Sequence, residues 1–532
     1  MNPNTESPHH AGADSENTVK PIADKAARQP PVKIEARFAA GEGDKKKMTH
    51  SSIEQVLERA GYKPDEISAI YFGNWLRDYS QLLDPKIVRS THMPKNFPDV
   101  LSRDALTKII DILAVREFTG LMKIDRERFR VTPERLGVYR PSEHIDNPKV
   151  TNPTPADPQS RDKDFEPWVL PEDASLGIDY QTSMKRYIHR SAEVMKAEFA
   201  KAAQEGLQST DGLRAFGSAL HILEDFFSHS NFVELSLIKQ GYSGVLPWTS
   251  KADCKHGLPL VTGMFGSTDV IASLAGPLGK ILFSTDSATF KPTQPYERSE
   301  RDQIIQILLS EHPNESFLKA HNEFLNARDK WANLPFSSYI EEVRHYLGVP
   351  GMVLNNAMGS VMQGLLTMLG NRVGDAQTHL TDNPNTSGST DPSHSQLAKD
   401  HGEHPLHELA ALLARTAVLS VGQNMLSQWL GKGGAFDTAQ LAASYLAHPM
   451  DTEWQDHLVA QWASKNPQLV MKATNESELR NIADHVREEA VEQLETFKEL
   501  GSRFLETFLS RENPIFKLWK HTPIGWYLTR NR

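Results

Sequence analysis

Apolar residues recur along this chain at helical rather than alternating spacing. THSSIEQVLERAG, closing on Gly61, predicts a helix opened by Ser or Thr caps. IYFGNWLRDYSQLLD predicts a second, largely buried helix, and residues 104–119 predict a third. Residues 139–175 hold seven prolines and no periodicity, which predicts a long ordered loop or meander. Such loops in compact domains are often functional. Helical spacing resumes over 179–205 and 211–239, and again from Ser395 to the C-terminus. No run alternates with period two, so the expected fold class is mainly α: a multi-helix body with long loops and an insertion.

One helical stretch breaks the usual pattern. HILEDFFSHSNFVEL places His221, Asp225 and His229 at successive four-residue steps, which puts them on one helical face. Arg214 and Ser218 extend the stripe backwards, and Glu224, Ser228 and Asn231 flank it. Leu220, Ile222, Leu223, Phe226, Phe227, Phe232 and Val233 cover the other faces. A surface helix has one apolar stripe and a broad polar face; here the polar stripe is the narrow one. Buried imidazoles and carboxylates need partners, and a metal ion is one partner they can share. A hydrogen-bonded His–Asp core pair is the plainer alternative. At about 1.5 Å per residue, His221 and His229 lie roughly 12 Å apart along the axis. That is too far to share one ion easily, so Asp225 between them is the candidate bridge of two.

Composition narrows the classes. The 532 residues are 39% apolar and 24% charged, as in a soluble globular protein with a large core. A net charge of −10 argues against non-specific nucleic-acid binding. The single cysteine, Cys254, excludes an internal disulfide framework and a cysteine-rich zinc site. Residues 1–47, poor in large apolar groups, are expected to be disordered. They show no Sec-type signal core, which implies a cytoplasmic protein, with non-classical secretion or peripheral membrane association as alternatives. Residues 48–430 are expected to form the metal-binding helical domain, with an insertion at 241–300 and a polar loop at 372–393. Residues 431–532 are expected to form a helical extension, ending in the basic aromatic tail IFKLWKHTPIGWYLTRNR. The apolar runs 258–283 and 345–371 are too interrupted for membrane spans. They are expected to be core helices, or an apolar surface near a lipid.

Further ligand types are scattered. They are His50, Asp78 in GNWLRDYSQ, His144 and Asp146 in YRPSEHIDNP, and His394, Asp400, His401, His404 and His407 in PSHSQLAKDHGEHPLHE. Glu408 stands four residues after His404. Histidine and carboxylate ligands without cysteine fit Zn²⁺, Mn²⁺ or Fe²⁺; an oxygen-rich subset would suit Ca²⁺ or Mg²⁺.

The pieces THSSIE, YFGNWLRDYSQ, LGVYRPSEHIDNP, HILEDFFSHSNFVEL, VTGMFGSTD and PSHSQLAKDH together resemble the Het-C family of heterokaryon incompatibility proteins. More distantly, the order of ligands is similar to the zinc-dependent phospholipase C and single-strand nuclease fold, an all-helical body around a metal cluster. That resemblance implies His50, Asp78, His144, His221 and Asp225 as metal ligands, with Asp225 bridging. It adds His229, then His394 or His401 with Asp400 or Glu408; that fold holds three metals, but the internal position of His50 and the short spacing from Asp225 to His229 depart from it, so two ions, zinc first, are expected rather than three. The function it implies is a metal-dependent phosphoesterase acting on phospholipid. Asp78 or Asp225 would handle the water, and Arg77 would clamp phosphate or form a structural salt bridge. A non-catalytic incompatibility or toxicity module with a structural metal, and a lipid-transfer or membrane-docking protein, are the rival classes.

Overall fold

The computed structural model describes residues 48–97, 99–150, 157–265, 296–333, 383–433 and 436–482, with 278, 281, 282 and scattered positions up to 499. The expected disordered N-terminus, the run 345–371, most of the run 258–283, residues 372–382 of the polar loop and the basic aromatic tail lie outside these residues. The described fold is mainly helical. Its only strands among the described residues are two-residue pairs, 88–89 with 101–102 and 178–179 with 184–185.

The helices follow the apolar spacing with local corrections. THSSIEQVLERAG forms two short helices, α1 (His50–Glu54) and α2 (Leu57–Ala60). Thr49 and Ser52 make a reciprocal cap at the start, and Gly61 ends α2 at φ 105°, a left-handed conformation that glycine adopts without a Cβ penalty. Next come α3 (Pro64–Ser80), α4 (Arg103–Glu117), α5 (Thr119–Ile124) and α6 (Pro133–Leu136). The described part of the proline-rich stretch, residues 139–150 and 157–175, is a loop with 3-10 turns at 141–143, 158–160 and 174–176. Then follow α7 (Tyr187–Glu205) and α8 (Thr210–His229). The pattern over 211–239 is not one helix: Ser230 is extended at φ −106°, ψ 168°, and α9 (Phe232–Lys239) restarts after Asn231. The restart is held from outside, because Asn231 Nδ2 donates to Pro247 O and Pro259 O. The remainder is α10 (Glu300–Ser310), α11 (Glu315–Asn333), α12 (His394–Leu397), α13 (His407–Trp429), α14 (Thr438–Tyr445), α15 (Asp456–Lys465) and α16 (Pro467–Lys472).

The core centres on α8, which packs against α3, α7 and α13. From Ala215 to His229 every residue of α8 is buried. Two glycines let α3 cross it closely: a Cβ on Gly217 would overlap Ile70 O, and one on Gly73 would overlap Arg214 O. That contact brings Asn74 and Asp78 of α3 alongside the polar stripe of α8. By length and composition α13 could cross a membrane, yet most of it is buried in this core. The described part of the expected insertion is integral to the fold. Leu260, Val261 and Thr262 are fully buried, and residues 260–264 make bridges to Met184, Ser230, Asn147 and Ser393.

Candidate metal centre

The buried polar stripe of α8 is the spine of a row of histidines and carboxylates. Three groups of donor atoms each lie within 4.8 Å of one another: His50, Asp78 and His221; His144, His221 and Asp225; Asp146, His229 and His394. His221 and His229 thus fall in different groups, as their separation along the helix requires. Asp225 stands between: its Oδ1 is 3.6 Å from His50 Nε2, and its Oδ2 is 3.0 Å from His221 Nε2 and 3.8 Å from His229 Nδ1.

Hydrogen bonds behind the row decide which nitrogens face it. Asn74 sits between two buried carboxylates and donates from Nδ2 to Glu54 at 2.9 Å and Glu224 at 3.3 Å. Its Oδ1 must therefore accept, and it does so from His221 Nδ1 at 2.9 Å. That leaves His221 Nε2 as a lone pair. Ser80 donates to Arg77 O at 2.7 Å, so its oxygen accepts from His144 Nε2 at 3.3 Å. His144 Nδ1 is then also a lone pair, and Gln81 Nε2 donates to it at 3.1 Å. Yet His144 Nδ1 and His221 Nε2 face each other at 2.9 Å, with Asp225 Oδ2 3.0 Å from the latter. Three electron-rich atoms converge with no proton assigned between them. Neither oxygen of Asp225 has a hydrogen-bond partner, although the residue is buried. Buried lone pairs left facing one another are costly, and a cation among them removes that cost. The donor set could therefore hold a metal ion.

At the other side of Asp225, Glu224 accepts from His50 Nδ1 at 2.5 Å, which turns His50 Nε2 toward Asp225 and toward Asp78 at 4.0 Å. Burial lowers the His50 pKa, but Asp78, Glu224 and Asp225 outweigh it and raise it to about 10. Burial raises Asp225, while His221 and His229 outweigh it and hold the carboxylate well below its usual range. Burial, with the neighbouring His221 imidazole acting in the same direction, pushes His144 well below the ordinary imidazole range.

The other predicted residues divide. Asp400 and His401 reach the row's end: Asp400 Oδ2 is 4.0 Å from His229 Nε2, and its Oδ1 is 3.4 Å from His401 Nε2. Among the described residues neither joins a three-donor group. Glu408 is exposed. His404 and His407 are buried rather than at the surface: His404 Nδ1 accepts from Leu406 N, and His407 spans Lys399 O and Met48 N. Arg77 does not reach into the row as a phosphate clamp. Glu143 binds its Nη1 at 2.5 Å, and the carbonyls of Arg135 and Leu136 take its Nη2, which makes it a structural ion pair.

Sequence reasoning missed the backing residues. Glu54, Asn74 and Ser80 support ligands far away in sequence, so no local spacing marks them. Lys399 was missed too. Fully buried, its ammonium binds Glu234 Oε1, Ser230 O and Leu397 O at 2.7–3.0 Å, which anchors the chain beside Asp400 to the end of α8.

A family model described as heterokaryon incompatibility protein Het-C matches residues 39–328, more than half of the chain. No curated protein and no solved structure matches it.

Proposed function

The chain belongs to the Het-C family, and from that premise we propose that its histidine–carboxylate row holds divalent metal, zinc first, and hydrolyses a phosphoric ester, with phospholipid as the preferred substrate. One observation carries the reading: the Nε2 lone pair of His221 and the Asp225 oxygens, which have no hydrogen-bond partner, meet His144 Nδ1 at one buried point. His50, Asp78, His144, His221 and Asp225 would hold the metal. Bound divalent ions would lower the pKa of water and neutralise charge developing on a phosphoryl oxygen. Asp78 is the most open carboxylate of the row, its side chain 14% exposed against 1% for Asp225. It is the group placed to orient an incoming water and take its proton. Asp225 faces both groups and holds them in register. The net charge of −10 counts against nucleic acid as the substrate.

A second reading is favoured by the sealing of the middle group. His144 and His221 have no exposed side-chain surface, which suits a structural ion in a non-catalytic incompatibility or membrane-binding module. The deciding experiment is hydrolysis by metal-loaded full-length protein across phospholipid classes, single-stranded DNA and RNA, and generic phosphoesters. Turnover should favour phospholipid and vanish with chelator. Asp78→Asn should cut it by about 10²-fold or more, the usual contribution of a positioned base, with the fold unchanged. No metal-dependent turnover on any substrate decides for the structural reading.

A further inference from the structure

One buried ion cluster takes no part in the row. Lys185 belongs to the short antiparallel pair 178–179 with 184–185 and is almost fully buried. A buried charge is expensive unless it is paired. Lys185 is fixed at both ends: its backbone N donates to Leu260 O at 3.1 Å, and its Nζ donates to Leu176 O at 3.0 Å and to Asp391 Oδ1 at 2.6 Å. Asp391 shares its carboxylate with a third segment. Asn147 Nδ2 donates to the same Oδ1 at 3.2 Å, and Lys149 Nζ donates to Oδ2 at 2.7 Å. Burial raises the Asp391 pKa, but Lys185 and Lys149 outweigh it and hold the carboxylate below its usual range. Charge-assisted bonds of this kind are roughly twice as strong as neutral ones.

The cluster is linked by short stretches of chain to two donors of the row. Asp146 directly precedes Asn147, and His394 follows three residues after Asp391. A proline stands in each link, Pro148 before Lys149 and Pro392 after Asp391. Its ring fixes φ, so the links are stiff and a shift at Asp391 passes to the donors beyond. The same links are laced to residues 263–264. Asn147 N donates to Gly263 O at 2.9 Å, Met264 N to Pro392 O at 2.9 Å and His394 N to Met264 O at 2.8 Å. Gly263 permits the approach, since a Cβ there would lie 2.6 Å from His394 Cα.

We propose, resting on the reading that the row holds metal, that Asp391 is a positioning residue: it clamps the loop of Asp146 to the segment that enters α12 at His394, with Lys185 as the fixed post. The clamp sets the spacing of the two donors, 3.7 Å from Asp146 Oδ1 to His394 Nδ1. Donors held at their working separation before an ion arrives spare the cost of ordering them on binding. Asp391 itself acts only through the residues it holds.

The test uses full-length protein stripped by chelator and titrated with cobalt(II), whose visible absorption reports the geometry of its ligands. Asp391→Asn keeps the shape of the side chain and removes its charge. It should weaken one phase of the titration by about 10-fold or more, as loss of a supporting partner does at metal sites, and change the absorption of the bound ion. Asp162→Asn is the structural control. Asp162 is as exposed as Asp391, 17% against 16%, and it pairs with Arg103 rather than with any residue of the row. It should lower the thermal midpoint and leave both cobalt signals unchanged. Cobalt affinity and absorption in Asp391→Asn equal to those of the unaltered protein would overturn the proposal, whatever the midpoint. If Asp391→Asn fails to fold, Lys149→Gln takes its place, since it leaves the buried Lys185–Asp391 pair whole. A smaller loss of affinity with altered absorption supports the clamp, and no change refutes it. Unaltered protein that binds no cobalt refutes the metal reading and the clamp with it; a silent Asp391→Asn in protein that binds cobalt refutes the clamp alone.

Discussion

His448 shows how far a single side chain can be read. Its Nε2 donates to Leu258 O at 3.0 Å, and its Nδ1 accepts from Met450 N at 3.3 Å, capping the 3-10 turn Pro449–Asp451. The cap needs the neutral ring. Burial, opposed by the bond to Leu258 and reinforced by the stacked His256, lowers its pKa to about 4; Asp451 and Lys255 are the other charges facing it. The unfolded chain, with an ordinary imidazole, takes up the proton first as pH falls. Stability from this residue is therefore complete above about pH 6.5, declines below it and is lost near pH 4, on the order of 3 kcal/mol in all. Urea unfolding at pH 7.5 and 4.5 should show a smaller pH dependence for His448→Asn than for the unaltered protein. At the same scale, His221→Ala and Asp225→Ala should each lower bound zinc, measured by elemental analysis, because each removes a donor shared by the first two groups or lying between them. His221, Asp225 and His229 were legible because one helix carries all three at a fixed spacing. His50, Asp78, His144 and His394 were found by residue type and family resemblance. Asn74 and Glu54 were not found, because an amide or carboxylate that orients a distant imidazole leaves no mark on its own neighbourhood.

Between elements, the decisive contact is the crossing of α3 over α8. Gly217→Ala would force the backbone of Ile70 away and carry Asn74 and Asp78 from their places beside His221. Overpacking of this kind costs typically about 1–3 kcal/mol, and zinc affinity should fall along with the melting temperature. Gly120→Ala on α5 is the matched control. Nothing lies within 4 Å of the added Cβ, so the melting temperature should hold or rise, as expected for alanine in a helix. Calorimetry with zinc titration reads both variants. The sequence pattern located α3, α4, α7 and α8 because each buries an apolar face of many turns. It ran 211–239 together because periodicity does not register a two-residue break. The break at Ser230 and Asn231 is held by bonds from Asn231 to Pro247 and Pro259, which lie outside any local window.

For the whole molecule, the family match ends before the site is complete. His394 lies beyond residue 328, and so does α13, which packs on α1, α2 and α8. Tyr62 donates to Gly422 O at 2.9 Å across that contact. A fragment of residues 39–328 should therefore lack a fixed tertiary structure, with weak near-ultraviolet circular dichroism and loose zinc binding. A fragment of residues 39–482 should keep both signals. The mainly helical class was legible from periodicity over the whole chain. The role of residues 260–264 was not, because a Gly- and Pro-rich stretch read alone looks like an addition to the fold rather than the place where its loops meet.

That meeting place also sets an order in time. Residues 145–147 and the end of α8 leave the ribosome well before residues 392–394, which pair with the same short segment. Until translation passes His394 and the chain beyond it, Gly263 and Met264 have no partner on that side and the last imidazole has not been made. The nascent protein thus passes most of its synthesis unable to close this end of the row. The full row of donors is a property of the finished chain.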